Sequence, residues 1–174
     1  MIKGMTNMGY HEHKEISPKS VTFAVLTISD SRTEETDESG QFLKERLSKN
    51  GHRLLFYALM KNDAAIIRRQ VEQLLSQTDL QVIITSGGTG ASHRDVTVET
   101  ISPLLDKKLD GFGELFRFLT YQEIGTTSVM SRAMAGVANG KVIISLPGSL
   151  GAVTLAANKI ILSEIGHMVR EATR

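Results

Sequence analysis

Four short and largely apolar runs alternate with helical patterns along this chain of 174 residues. The runs cover residues 21–29, 52–60, 81–85 and 141–146. Strands that are apolar on both faces are typical of a parallel sheet covered by helices on each side. Because helical spacing of apolar residues fills the segments between the runs, the elements alternate as in α/β proteins. The pattern therefore predicts a three-layer α/β/α fold with a mostly parallel central sheet.

The helical patterns follow the strands in order. We expect helices over residues 39–49, after Asp63, over 97–105, over 113–122 and over about 151–172. Asp63 and Thr97 stand where an N-cap would be, because each precedes or opens a helical pattern with a side-chain oxygen.

The domain organisation follows from where this alternation begins. Residues 1–20 are polar and without periodicity, which predicts a flexible N-terminal arm, and residues 21–174 are expected to form a single domain.

Composition narrows the classes of partner. Twenty Lys and Arg against nineteen Asp and Glu give a net charge of +1, and no basic block stands out, so we expect no nucleic acid partner. The absence of cysteine excludes disulfides and thiolate chemistry. No apolar run approaches the roughly 20 residues of a membrane span, and the N-terminus lacks an apolar signal core. The expectation is a cytoplasmic protein without a membrane partner.

The most unusual residues come directly after the predicted strands. Asp30 follows the first run, Asp63 the second, a glycine-rich loop the third and Pro147–Ser149 the fourth. In open parallel sheets, ligands bind outside the carboxyl ends of the strands. The sequence therefore predicts a ligand site at one edge of the sheet.

The glycine-rich loop, residues 86–90 within TSGGTGASHRD, is suited to phosphate. Glycines let backbone N–H groups approach an anion, and the following helix N-terminus adds a favourable dipole. The loop is not a Walker A motif, because no Gly-Lys-Ser/Thr follows it. It is not a dinucleotide fingerprint either, because His93 stands where a third glycine would be needed. The alternative interpretation is tight packing of strand against helix. The loop is made of Ser86, Gly87, Gly88, Thr89 and Gly90.

Three carboxylates on this edge indicate a magnesium-nucleotide site, since Mg²⁺ takes one or two carboxylates together with phosphate oxygens. Each has a structural alternative. Asp63 can cap its helix, Asp30 can bond to the turn at residues 31–32, and Asp95 can cap the helix that follows it. If Thr97 caps that helix instead, Asp95 is free for a ligand.

Two further segments fit a phosphorylated ligand. Pro147, Gly148 and Ser149 precede the final helix, so Ser149 is an N-cap whose neighbouring amides can also bind phosphate. Ser131 and Arg132 precede a run of small residues, and Arg132 can pair with a carboxylate or with a ligand. These residues indicate a phosphorylated ligand but do not specify it.

At these motifs the sequence resembles the molybdenum cofactor biosynthesis proteins of the MoaB and MogA type. SGGTGASHRDVTVE is similar to the family signature GGTG…RDVT(P)E, with Val98 in the place of its proline. The resemblance continues through TISDSRTEETDESG, GFGELFR, MSRAMAG and LPGS, in order over residues 21–174. The uninterrupted GFGELFR and the ending PGSLGAV are most similar to the MoaB branch.

The resemblance implies molybdopterin adenylyltransferase activity, in which molybdopterin and MgATP give adenylyl-molybdopterin and pyrophosphate. Asp63 and Asp95 match the family's essential acids and would manage Mg²⁺ and the reacting phosphates. The glycine-rich loop and Asp30 would hold nucleotide phosphates. The residues implied for molybdopterin are Arg94, Ser131, Pro147, Gly148 and Ser149.

The resemblance also implies assembly into a homo-oligomer, a trimer or a hexamer, with other proteins of the cofactor pathway as further partners. GFGELFRFL offers a helix face for such contacts, although the same face is equally suited to the core. The alternative function is a non-catalytic, oligomeric molybdopterin-binding protein of the same pathway. The residues of that helix face are Phe112, Leu115, Phe116 and Leu119.

Overall fold

A six-stranded sheet in the order β2-β1-β3-β6-β5-β4 forms the centre of the computed structural model, which describes residues 17–174. Neighbouring strands among β2, β1, β3 and β6 pair in parallel, whereas β5 and β4 are antiparallel to their neighbours. The mostly parallel sheet predicted from the apolar runs is confirmed. The strands are β1 (Thr22–Ile28), β2 (Arg53–Met60), β3 (Val82–Ser86), β4 (Lys107–Lys108), β5 (Met134–Ala138) and β6 (Lys141–Leu146).

Helices cover both faces of the sheet, as predicted. The α-helices are α1 (Glu38–Lys49), α2 (Ala64–Leu75), α3 (Thr97–Ile101), α4 (Asp110–Ile124), α5 (Leu150–Ala156) and α6 (Leu162–Ala172). A 3₁₀ turn, Ser102–Leu104, completes the predicted helix at 97–105, and another, Gly125–Met130, follows α4. The expected final helix is divided by a π-helical turn, Ala157–Ile161.

Alternating side chains of β1 explain why its sequence is apolar throughout. Phe23 and Val25 pack into a core with residues of α1, α4, α5 and α6. Ala24 and Leu26 lie on the other face and pack with α2 and Ile101. Both faces of the strand are therefore buried, because successive strand side chains point to opposite sides.

Two strands, β4 and β5, were not predicted. The sequence of β5 is MAGVA, which has one β-branched residue and three small ones, so its β-propensity is low. It joins β6 through Asn139 and Gly140, both at positive φ (48° and 70°), as a tight hairpin of the primed type requires. The Asn-Gly pair was the signal that would have revealed this hairpin.

The structure assigns most of the proposed oligomer face of α4 to the core. Phe112 and Phe116 are buried, and Leu119 is partly buried against the same cluster, so of the two interpretations the core holds for these three residues. Leu115 remains exposed at 43%. The exposed apolar residues near it are Phe118, Tyr121, Ile124, Val129 and Met130.

Part of the predicted N-terminal arm contacts the rest of the chain. Ser20 Oγ donates to the carbonyl of Gly51 at 2.6 Å, and a Cβ added to Gly166 would collide with the carbonyl of Pro18. Residues 1–16 of the predicted arm lie outside the described residues. Within residues 17–174, no helix has the length and apolar character that crossing a membrane requires.

Candidate functional site

A cavity of about 610 Å³ opens at the carboxyl ends of β1, β3 and β6. It is lined by residues 87–90 of the glycine-rich loop, by Asp95 and Ser131, and by the turn at residues 147–149. Segments that are far apart in sequence meet here because the carboxyl ends of parallel strands share one edge. The structure therefore brings together most of the residues that the sequence analysis singled out.

Steric constraints explain two glycines of the loop. Gly87 has a φ of 105° and Gly88 a φ of 62°, values that side chains rarely adopt. A Cβ on Gly87 would strike the carbonyl of Ile28, and one on Gly88 would strike Thr97 and Asn62. Close packing, the alternative interpretation, therefore accounts for these two positions, while the loop from Gly87 to Gly90 still faces the cavity.

Thr97 does not cap α3, so that prediction is wrong. The N-cap residue is Val96, which makes no side-chain cap bond. Thr97 is fully buried, its backbone N–H donates to the carbonyl of Gly88 at 3.0 Å, and its hydroxyl donates to the carbonyl of Gly87 at 2.9 Å. The Thr97 hydroxyl therefore holds the glycine-rich loop.

Asp95 lies in the cavity and does not cap α3 either. Its Oδ2 accepts a hydrogen bond from the backbone N–H of Ser92 at 3.1 Å. A Cβ on Gly90 would come within 2.6 Å of the same oxygen. The absence of a side chain at Gly90 thus allows the carboxylate to lie against the loop, half-buried and facing the cavity.

The other two acids lie outside the cavity lining. Asp63 is exposed and caps α2, with Oδ1 accepting from the N–H of Ile66 at 2.9 Å. Asp30 is exposed and accepts from the N–H of Asn62 at 3.0 Å. The turn that Asp30 was expected to support is bonded instead by the Ser29 hydroxyl.

The three acids therefore do not form one cluster. In the part of the chain that the structure describes, no group of three His, Cys, Asp or Glu residues is arranged to hold a metal ion. Asp95 is the one member of the predicted trio that reaches the cavity.

Two more predicted residues lie away from the cavity lining. Ser86 is fully buried at the end of β3, below the loop. Arg94 is exposed, and its carbonyl oxygen accepts a hydrogen bond from the Asn62 side chain. Asn62 was not predicted as a site residue, yet it joins the loop after β2 to the segment that follows the glycine-rich loop.

Ser131 and the turn at residues 147–149 line the cavity. Ser149 also caps α5, with Oγ accepting from the N–H of Ala152 at 3.2 Å. The hydroxyl oxygen of Ser131 is buried and has no hydrogen-bond partner among the described residues. A buried hydroxyl without a partner is energetically unfavourable unless a ligand or water completes it.

Of the two partners that the sequence allowed for Arg132, a carboxylate or a ligand, the structure shows a carboxylate. It pairs with Glu99, and its Nη1 donates to the carbonyl of Gly90 at 3.1 Å. The hydrogen bond from Arg132 lowers the pKa of the Glu99 carboxyl below its ordinary value. Arg132 therefore supports the far end of the glycine-rich loop from outside the cavity lining.

A buried polar cluster beside the turn at 147–149 was not predicted. Asp37 is fully buried and caps α1, accepting from the N–H of Gly40 at 3.0 Å and from the Tyr57 hydroxyl at 2.8 Å. Burial, reinforced by the Asp37 carboxylate, raises the pKa of the Tyr57 hydroxyl above its ordinary value. Arg32 connects Asp37 to the cavity. An Asp before a helical pattern was the available sequence signal for the cap.

Comparison with known proteins agrees with this architecture. The family described as a probable molybdopterin binding domain matches residues 24–167. Molybdenum cofactor biosynthesis protein B of Bacillus cereus is 48% identical over 168 residues, covering 96% of this chain and 99% of the relative.

Solved structures give the same result. A crystal structure of a molybdenum cofactor biosynthesis protein B is 49% identical with a TM-score of 0.86, covering 90% of this chain and 98% of that chain. The tungsten cofactor synthesizing protein MoaB from Pyrococcus furiosus is 37% identical with a TM-score of 0.82, covering 91% and 100%. The chain carries the molybdopterin-binding domain over most of its length and belongs to the molybdenum cofactor biosynthesis protein B family.

Proposed function

We propose that this protein binds molybdopterin in the cavity and adenylylates it with MgATP, giving adenylyl-molybdopterin and pyrophosphate. The observation that carries the proposal is the one cavity that Asp95, Ser131 and residues 87–90 line together. The Ser131 hydroxyl there is buried without a partner among the described residues. The family supplies the pterin ligand, and the loop and the acid supply the fit to a nucleotide.

The residues present fit Mg²⁺ bound together with nucleotide phosphates. Asp95 offers a carboxylate directly beside Gly90, and Mg²⁺ commonly takes one or two carboxylates plus phosphate oxygens. When bound, the metal neutralises phosphate charge. Asp63 is the second candidate acid, acting through the carboxylate oxygen that does not cap α2.

Catalysis in this proposal is positioning and charge neutralisation. An oxygen of the pterin's terminal phosphate attacks the α-phosphorus of ATP, and the bond to the β,γ-pyrophosphate breaks. The glycine-rich loop holds the nucleotide phosphates, and Ser131 with the turn at 147–149 holds the pterin and its phosphate. No protein nucleophile is required, since the attacking group belongs to the substrate.

Incubation of the protein with molybdopterin and MgATP tests the proposal. We expect adenylyl-molybdopterin and pyrophosphate in equal amounts, measured by chromatography and a coupled pyrophosphate assay. A second candidate function, molybdopterin binding without catalysis, is favoured by the position of Asp63 outside the cavity lining. Tight molybdopterin binding without either product would establish that alternative.

We also propose a homo-oligomer built on the exposed apolar residues of α4 and the turn after it. Phe118, Tyr121 and Ile124 are each more than half exposed, and Val129 is 79% exposed. Contiguous apolar surface of this kind is typical of a subunit contact. Light scattering should give a multiple of the 19.1 kDa chain mass, and a stable monomer would contradict the assignment.

A further inference from the structure

We infer that Arg32 supplies the positive charge that binds phosphate in this cavity, and that buried Asp37 fixes its guanidinium in place. The inference rests on the proposed function and adds to it Arg32, which lies in the motif TISDSRTEETDESG but was given no role in the sequence analysis. Among the described residues that line the cavity, Arg32 is the single Lys, Arg or His. A guanidinium adds positive charge and bidentate hydrogen bonds to what backbone amides offer a phosphate.

The guanidinium of Arg32 is held by three hydrogen-bonding contacts. Its Nη1 lies 3.4 Å from Asp37 Oδ1 and donates to Ser39 Oγ at 3.2 Å. Its Nη2 donates to the carbonyl of Gly148 at 2.8 Å. Guanidinium has five N–H donors, so Nε–H and a second Nη2–H remain without partners among the described residues. These donors are available to a ligand at the cavity wall.

Asp37 is held in place by its burial and by two donors. It is fully buried, and Gly40 and Tyr57 donate to its two oxygens. A Cβ on Gly40 would overlap the carboxylate, so the fit is tight. Buried ion pairs are a weak source of stability, because desolvation offsets much of their attraction. Besides capping α1, Asp37 therefore orients Arg32.

The position of Arg32 suits phosphates from either substrate. A Cβ on Gly148 would lie 3.1 Å from the Cα of Gly87, so the turn at 147–149 packs directly on the glycine-rich loop. Arg32 contacts that turn and lines the cavity beside both segments. A fixed, forked guanidinium binds a phosphate group bidentately. The ligand class is thus a phosphate monoester or polyphosphate, from the nucleotide or from the pterin.

The test compares Arg32→Gln and Arg32→Lys with the wild type. Lys keeps a charge opposite Asp37 but lacks the fork, so it remains informative if Arg32→Gln fails to fold. Calorimetry measures the Kd of MgATP and the Kd of inorganic pyrophosphate. Steady-state kinetics measures the KM of molybdopterin. Loss of a hydrogen bond to a charged group should weaken binding about 10- to 100-fold. A rise in the Kd of MgATP assigns Arg32 to the nucleotide, and a rise in KM alone assigns it to the pterin phosphate.

Two control variants test whether an effect at Arg32 comes from ligand contact. One removes a positive charge elsewhere, and the other removes support of the turn at 147–149. Arg68→Gln removes the same charge from an exposed pair with Glu72 on α2, far from the cavity lining, and should bind as wild type does. Ser39→Ala removes the other donor to the Gly148 carbonyl, at 2.7 Å, and one acceptor of Arg32, but it keeps the cation. Its effect should be much smaller than that of either Arg32 variant.

The outcomes distinguish this inference from the proposed function. Arg32 variants that bind every probe like Arg68→Gln overturn it, as does a Ser39→Ala effect equal to theirs, because Arg32 would then act through the turn alone. If the wild type forms no product yet binds pyrophosphate through Arg32, the adenylyltransferase proposal fails and the phosphate site stands. If the wild type binds neither MgATP nor pyrophosphate, and the Arg32 variants bind molybdopterin as the wild type does, the phosphate site is rejected.

Discussion

The two ends of the parallel sheet use polar residues in different ways. At the amino end, polar side chains complete backbone groups: His52 accepts from the N–H of Val21 at 3.3 Å, and Gln81 accepts from the N–H of Thr22 at 2.9 Å. At the carboxyl end, the Ser131 hydroxyl and two donors of Arg32 have no partner in the described part of the chain.

This contrast separates groups that maintain the fold from groups that are free for a ligand. A polar group that has a hydrogen-bond partner within the protein contributes to the free energy of unfolding. A buried polar group without a partner lowers that free energy, and a ligand that bonds to it removes the loss. Substitution of the unsatisfied groups at the carboxyl end should therefore affect binding and turnover more than stability. Substitutions at the amino end should do the reverse.

The largest expected effect is at Asp95. Asp95→Asn keeps the size of the side chain and an acceptor for the Ser92 N–H but removes the charge beside Gly90. Loss of such a charge should lower turnover about 10²- to 10³-fold. The melting temperature should change little, because a substitution of this kind stays within about 1 kcal/mol of wild type. The measurement is product formation at saturating MgATP, with a thermal melt of the same preparation.

Asp63→Asn is the matched control for Asp95→Asn. Asp63 caps α2 outside the cavity lining, and Asn caps a helix about as well as Asp. We expect a smaller loss of turnover than for Asp95→Asn. Equal losses would show that the cavity lining does not define the functional acids.

Ser131→Ala should separate binding from stability most clearly. Removing a buried hydroxyl that has no partner among the described residues should leave the free energy of unfolding unchanged or slightly raised. If the hydroxyl bonds to molybdopterin, the KM for molybdopterin should rise about 2- to 10-fold, as for loss of a neutral hydrogen bond.

Ser145→Ala controls for burial alone. The Ser145 hydroxyl on β6 is also buried without a partner among residues 17–174, but it does not line the cavity. It should match Ser131→Ala in stability and the wild type in KM. A change in KM for Ser145→Ala, or none for Ser131→Ala, would contradict the contrast between the two hydroxyls.

Sequence patterns predicted the parts of the fold and site that depend on local order. The parallel strands were evident because burial on both faces leaves an apolar run such as VIITS of β3. The glycine-rich loop and the turn at 147–149 were located by the rule for strand ends. β5 was missed because small residues carry little β-propensity, although its Asn-Gly turn was visible.

Pairings between distant residues could not be predicted. Arg32 and Gly148 are 116 positions apart, and no local pattern relates them. The same limit applies to the acids. Each of the three acids follows one of three adjacent strands, yet only Asp95 lines the cavity. Where each carboxylate lies along this edge of the sheet depends on contacts of Asn62 and the loop, which no local pattern shows.

Gln81→Leu should reduce stability without reducing function. The side chain of Gln81 is the acceptor for the half-buried N–H of Thr22, at the end of the sheet opposite the cavity. Leaving that N–H unsatisfied should lower the free energy of unfolding by about 1–3 kcal/mol. Denaturant titration measures this loss, and turnover of the folded fraction should equal that of wild type. Lower turnover would link the two ends of the sheet and weaken the contrast between them.

The smallest expected effect is a pH dependence from His52. Burial lowers the pKa of the His52 imidazole, and its Nδ1 must stay unprotonated to accept from the Val21 N–H. The unfolded chain therefore binds this proton more readily than the folded protein, so stability rises with pH across the interval between the lowered pKa and the ordinary value of about 6.5. Urea titrations at pH 5, 6 and 7.5 should show the wild type losing stability toward acid, and His52→Gln losing less over the same interval.

Since His52 lies at the amino end, the Kd of MgATP measured on folded protein should be equal for the two proteins at each pH. Identical stability profiles would show that His52 titrates alike in the folded and unfolded states, and a difference in Kd would place it in communication with the cavity.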